Sequence, residues 1–334
     1  MNSKHSVHRR AFLRAMPVLA YTGAVALAQD TASPAALQFD LKIPKQRPYL
    51  ALTPGEIARA KDRAKRFGWA KIVIDHTLAE ANTSLAAAWS ELPPKGTFPG
   101  HTRMGSRLFG AALAFSLTGN RKYAEWTRDG LLAYAAIYPG LPLMSLRYKI
   151  QDSSLNEAVL IVLLAQAYDM VADSGVFTDE QKKRVEQDLL RASITCFRIT
   201  DFHNDPRVKD LHYRCYNYQV WHLAAVGLVG LTLRDRKLVD YAINSPYGLR
   251  HLIAHDINDD GIFWERSLHY HEWTMDGIIP LAEALVRCGV DLYASEVPPD
   301  LSSIDQHYLT DTSTRPKSLR LLWEAPLYAC FPDL

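Results

Sequence analysis

From Thr53 onward apolar residues recur at three- and four-residue spacing, with polar residues filling the gaps, which is the signature of amphipathic helices. The pattern predicts helices over about 54–67, 69–91, 102–118, 121–137, 153–173, 178–198, 214–233, 235–243, 270–288 and 316–331. Local punctuation agrees. Thr53-Pro54-Gly55-Glu56 supplies a capping Thr, a Pro at the first helical position and a Glu at the third, while Gly119-Asn120 and Asp173-Ser174-Gly175 end helices and Thr178-Asp179-Glu180-Gln181 starts one. Ala158–Tyr168 and Leu223–Leu231 are apolar around nearly the whole circumference, as expected of helices enclosed by other helices. Alternating strand patterns are nearly absent before Ile262-Phe263-Trp264. Short connections imply antiparallel helix pairs, and no fixed repeat period marks a solenoid array. The expected fold is therefore all-α, an (α/α) toroid whose inner helices wall a cleft, with helix-start loops such as Asn258–Tyr270 at its rim.

That rim carries the densest chemistry. Between the turn Asn258-Asp259-Asp260-Gly261 and an apolar helix lie Trp264, Glu265, Arg266, His269, Tyr270, His271, Glu272 and Trp273. So many polar groups would be costly in a core unless paired, whereas a substrate cleft needs them; an exposed helix start with sideways-packed aromatics reads equally well from composition. A second polar helix entry is Tyr216-Asn217-Tyr218-Gln219-Val220-Trp221-His222, where Asn217 and Trp221 share a face and His222 sits about one turn further in. Asn217 as a helix cap and His222 as a hydrogen-bonded core residue is the competing reading. The stretches Arg147–Asp152, which contains Gln151, and His101-Thr102-Arg103 repeat the theme of a polar loop before a buried helix, and each also reads as a capped surface loop.

Several chemistries lack their residues. There is no Gly-rich phosphate loop, no G-x-S-x-G elbow and no H-E-x-x-H. His269 and His271 diverge on a helix and lack further ligands, so neither a metal nor another cofactor is expected. Two-carboxylate glycoside hydrolysis stays open, with Asp259, Asp260, Glu265 and Glu272 as candidates.

Composition narrows the class further. Across 334 residues, 38 Lys and Arg nearly balance 36 Asp and Glu without a basic block, which argues against nucleic acid as a partner but leaves room for an anionic ligand held by a local patch. Arg9-Arg10-Ala11-Phe12-Leu13-Arg14, the apolar stretch to Leu27 and the small-x-small run Ala26-Leu27-Ala28 predict a twin-arginine-type export signal over 1–28, too short and interrupted for a membrane span. A periplasmic or secreted protein follows, with a linker over 29–50 and the toroid over 51–334. Cys196, Cys215, Cys288 and Cys330 are widely spaced; the compartment permits a disulfide, and they read as small buried apolar residues.

The stretches Asn217-Tyr-Gln-Val-Trp-His-Leu-Ala-Ala and Asp260-Gly-Ile-Phe-Trp-Glu-Arg-Ser-Leu-His-Tyr-His resemble the heparinase II/III-type polysaccharide lyases, which include alginate and oligoalginate lyases. The resemblance implies β-elimination on uronic-acid polysaccharides, with Tyr270 as acid and often also base. It implies that Asn217, with His222 or Gln219 nearby, neutralises the uronate carboxylate. Such donors suit the chemistry, because removing the proton at C5 builds negative charge on that carboxylate. A neighbouring Arg266 or protonated His271 would lower the Tyr270 phenol, and Trp264 or Trp221 would stack on sugar rings. Gln151, Glu265 and His271 complete the expected substrate contacts. Arg266 departs from the glycine usual in that family, and a charge there would retune the subsite. The ending at Leu334 resembles the point where family members pass into a β-sandwich, so the expected toroid is incomplete, weakly active if truncated, with an apolar face that invites a partner. A non-catalytic glycan-binding module and an α/α-barrel glycoside hydrolase are the alternative functions.

Overall fold

The helices begin where local chemistry can close their first turn. In chain order they are α1 (Pro54–Arg66), α2 (Gly68–Ser84), α3 (Phe98–Thr118), α4 (Arg121–Ile137), α5 (Ser154–Val171) and α6 (Asp179–Arg184). They continue with α7 (Asn217–Thr232), α8 (Arg236–Asn244), α9 (Leu249–His251), α10 (Leu268–Arg287) and α11 (Leu319–Tyr328). Thr53 and Glu56 form a reciprocal capping box at α1, and Thr178 with Gln181 does the same at α6. Gly119 ends α3 in a left-handed conformation, and the next residue, Asn120, caps α4. The computed structural model describes residues 36–86, 89, 92–198, 217–265, 267–299 and 315–328. Among them there is no strand, only the isolated bridges Ile257–Phe263 and Val297–Lys317. The all-α expectation holds.

Helix α3 packs on α5, α5 on α7, and α7 on α10, forming an inner row, while α2 and α4 back α3 and α8 backs α7. The inner α5 and α7 are buried along almost their whole length, which explains why their sequences carry no polar face. Small residues let the row close up: a Cβ at Gly227 of α7 would come within 2.6 Å of Leu281 of α10. The four inner helices share a direction, because their first residues meet at one end of the row.

Residues 36–53 carry no helix and strap the other side of the row. Leu41, Tyr49 and Leu50 are buried, and the carboxylate of Asp169 in α5 accepts from Arg47 Nη1 at 2.6 Å and from the Tyr49 and Leu50 N–H groups at 2.7 and 2.8 Å. The expected export signal over 1–28 and the start of the linker lie outside the described residues. Cys196 and Cys288 are buried free thiols.

Two elements differ from the periodic pattern. The predicted 178–198 helix runs as α6, then a π-helical stretch Val185–Arg191, then a short 3-10 turn Ile194–Cys196. A π stretch keeps the apolar periodicity while shifting the face, so the sequence pattern does not reveal it. The short α9 and the π-helical Leu252–Asp256 after it are buried throughout and were not predicted, because a segment this short between Gly248 and the Ile257 bridge shows no period. Helix α2 ends at Ser84, short of the expected 91.

Candidate active site

A groove of about 700 Å³ opens where the inner row presents its helix starts. Its walls are Phe98 from α3, Leu155 and Asn156 from α5, Asn217 and Tyr218 from α7, Glu265 from the loop before α10, and His269, Tyr270 and Trp273 from α10. Four helix N-termini therefore face one cavity, and their dipoles favour a negatively charged ligand. Ser267 makes no side-chain capping bond, which leaves the first-turn N–H groups of α10 available, whereas Ser153 caps α5 and the Gly100 N–H of α3 is taken by Thr97 O.

Glu265 organises the α7 side. Its carboxylate accepts the Asn217 main-chain N–H at 3.1 Å and the Asn217 amide Nδ2 at 3.0 and 3.2 Å, so it stands in for a capping side chain and fixes the amide plane. Glu265 itself is placed by a turn. Asn258 N–H donates to Ile262 O, Trp264 N–H to Asp256 O, and Gly261 takes φ +89° at the tip. His271 ties this hairpin to its surroundings: its Nδ1 accepts the Phe263 N–H at 3.1 Å, and its Nε2 lies 3.0 Å from Leu322 O of α11. One nitrogen accepts and the other donates, so His271 is a neutral imidazole, and burial holds its pKa below the ordinary value.

The predicted site residues divide by depth. An inner helix descends from the rim at about 1.5 Å per residue, so only its first turn faces the groove. Asn217, Glu265 and Tyr270 line it together. Trp221 and His222 lie a turn deeper. Trp221 is a core residue packed on Gly277 and against the Trp273 ring at 5.0 Å, not a sugar platform facing the groove. His222 is buried between Phe197 and Tyr218 beside the Ser154 backbone, and burial lowers its pKa to about 3. Gln219 donates Nε2 to Tyr247 O at 2.6 Å inside the core. Gln151 is buried behind the rim, its Nε2 3.4 Å from Thr102 Oγ1 and its N–H on Glu157. Trp264 packs against the core beside the hairpin rather than on the groove wall. His271 faces inward and is held neutral, so it is no cationic neighbour for Tyr270. Arg266 lies outside the described residues.

Six groove residues were not singled out for the site from sequence: the polar or aromatic Asn156, Tyr218, His269 and Trp273, and the apolar Phe98 and Leu155. The two-residue offset of His269 from His271 places one imidazole in the groove and the other in the core, with the His269 ring 5.5 Å from that of Tyr270. Helical phase could have separated them had the direction of the core been known. Tyr218 sits above His222 in an edge-on contact at 6.4 Å, and burial, then Asp152, then Tyr270 raise its phenol pKa. The paired carboxylates a hydrolase needs are not assembled among the described residues. Only Glu265 of the four candidates lines the groove; Asp260 accepts the Ile262 N–H, and Asp259 lies 3.9 Å from Lys317.

Comparison with known proteins points the same way. The family model described as alginate lyase matches residues 101–306, more than half of the chain and nearly all of the groove. An alginate lyase of Stenotrophomonas maltophilia is 27% identical over 197 residues, which are 56% of this chain and 25% of that protein. An exo-oligoalginate lyase of Saccharophagus degradans is 28% identical over 148 residues, 43% of this chain and 19% of that one. The chain thus spans about a quarter of the length of the curated relatives it matches. Among solved structures, alginate lyase A1-III from Sphingomonas species A1 superposes with a TM-score of 0.51 at 19% identity over 70% of this chain and 57% of that one. An alginate lyase from Bacteroides ovatus gives 0.56 at 12% identity over 84% and 82%. At such identities these two likenesses establish the helical fold alone.

Proposed function

The chain belongs to the alginate lyase family, and from that premise we propose that it cleaves a uronic-acid glycan of the alginate type by β-elimination in the groove between α7 and α10. The observation that carries this reading is the meeting of the Tyr270 phenol, the His269 imidazole and the Asn217 amide at the helix starts. The uronate carboxylate lies against Asn217 and the first-turn N–H groups, which take up the charge that develops when C5 loses its proton. Tyr270, with His269 beside it, is the proton-transfer group at C5. The electron pair left on C5 becomes the C4–C5 double bond as the C4–O4 bond breaks, O4 takes a proton back from Tyr270, and the product absorbs in the ultraviolet. The resemblance of two stretches to the heparinase II/III-type lyases supports the same elimination chemistry, and the Sphingomonas enzyme, a variant of which has been seen complexed with tetrasaccharide, supports an oligosaccharide-sized groove. Export by the 1–28 signal belongs to the same proposal, since the polymer is met outside the cytoplasm.

The test is the growth of ultraviolet absorbance with alginate and with glycosaminoglycans for the full chain and for Tyr270→Phe. Growth on alginate that falls at least about a hundredfold in the variant is the expected outcome. Full growth in the variant would remove Tyr270 from the chemistry. Binding of alginate without growth in the unmodified chain would make the protein a glycan-binding module instead.

A further inference from the structure

We propose that the junction of α1 and α2 is a docking surface for an anionic lipid membrane, on which the protein rests without crossing the bilayer. The junction is the single residue Phe67, and the apolar side chains around it face water. Trp69, Ile72 and Val73 are 63, 69 and 59% exposed, and Phe67 is 45% exposed. The first three are spaced i, i+3, i+4 and share one face of α2, while Ala70 and Ala81 are buried on the other. Helix α2 is therefore apolar on two sides, and its packing on α3 accounts for one of them. An outer helix ordinarily turns a polar face to water, and a contiguous apolar patch there marks a contact site. The patch is continuous across the junction. The Phe67 ring stacks with that of Trp69 at 6.2 Å, and the Arg66 guanidinium lies 5.5 Å over the Phe67 ring. None of these residues lines the groove, so the contact stands whether or not alginate is cleaved there.

The charge beside the patch selects the occupant. Between Arg59 and Lys71 six exposed Lys and Arg side chains stand against one acid, Asp62. Asp62 pairs with Arg66, and Lys71 pairs with Asp75. Arg59, Lys61, Arg63 and Lys65 have no ion-pair partner among the described residues. A basic helix joined to exposed Trp, Phe and branched aliphatic side chains matches the boundary of a membrane. There the apolar groups enter the edge of the acyl layer, and the cations stay among anionic headgroups. Two other occupants match less of the surface. A polyuronate would satisfy the cations, but Ile72 and Val73 offer it neither a hydrogen bond nor a ring to stack on. A second copy would cover the apolar groups, but a two-fold contact would set the same cations against one another.

The experiment is flotation of the full chain with vesicles of phosphatidylcholine, alone or with phosphatidylglycerol added. It compares the unmodified chain with Trp69→Ser/Ile72→Ser and with Lys61→Gln/Lys65→Gln. The unmodified chain is expected to bind the anionic vesicles at least about tenfold more tightly than the neutral ones, and to be released as salt is raised. Each double variant is expected to lose at least about tenfold of that binding. Its thermal unfolding midpoint should stay with that of the parent, because the replaced side chains face solvent. The variants share every other segment with the parent, so their loss reports this face. Equal affinity for both kinds of vesicle would overturn the proposal, and so would variants that float as the parent does. Without vesicle binding, retention on alginate or a dimer that Trp69→Ser/Ile72→Ser abolishes would overturn it too, giving the face to the polymer or to a second copy.

Discussion

At the scale of single residues, the imidazoles show how position sets chemistry. His269 is at the groove, His271 two residues on bridges Phe263 N–H and Leu322 O, and His222 is sealed beneath Tyr218. Burial drives His222 from an ordinary value of 6.5 to about 3, so the folded chain keeps it neutral. The unfolded chain takes up a proton there once the pH drops below about 6.5. Stability from this residue is therefore complete above that pH and drains away as the pH falls toward 3. Denaturation by urea should show His222 alone removing about 2–3 kcal/mol between pH 7 and pH 4, and His222→Asn should flatten that part of the profile. An unchanged profile in the variant would mean that the ring is solvated and already titrating normally.

At the scale of elements, the hairpin before α10 is the part on which the site geometry depends. It delivers Glu265 to the start of α7, and its tip, Gly261, adopts φ +89° with its Cα against Leu321 of α11. A Cβ there would lie 2.5 Å from Leu321 O, a backbone atom that cannot swing aside, and the left-handed backbone adds its own cost. Gly261→Ala should lower stability by about 2–4 kcal/mol and depress alginate turnover, because Glu265 loses its hold on Asn217. Thermal unfolding and turnover measured together check this; a variant equal to the parent in both would show that α11 yields easily. Gly227 of α7 is less demanding, since the collision of a Cβ there is with the movable end of Leu281.

At the scale of the whole molecule, the inner row is bound at its far side by the strap over 36–53. Asp169 is fully buried, and it is paired with the charge of Arg47, itself almost buried. The pair is worth little against an apolar substitute, but separating it is expensive, because one charge would remain without compensation. Asp169→Asn should therefore cost about 3–5 kcal/mol of unfolding free energy in chemical denaturation, far from the groove and with KM for alginate unchanged in the folded fraction. A loss under about 1 kcal/mol would show that water reaches Arg47.

The sequence by itself determined the helical class, most helix starts and the fact that polar helix entries gather around Asn217 and Tyr270. Those features are local: caps act within a turn, and apolar periodicity records how much of each helix is covered. It also placed Asn217, Glu265 and Tyr270 among the candidates, and the structure brings these three to one groove. Only the tertiary structure decided which residues of a polar stretch reach that groove. The inner helices run away from the rim, so Tyr218 and His269 face it while Trp221, His222, Gln219 and His271 point into protein. Neighbours three or four apart look alike in sequence, and the direction of the core, which is set by the packing of α7 on α5 and α10, is what tells them apart.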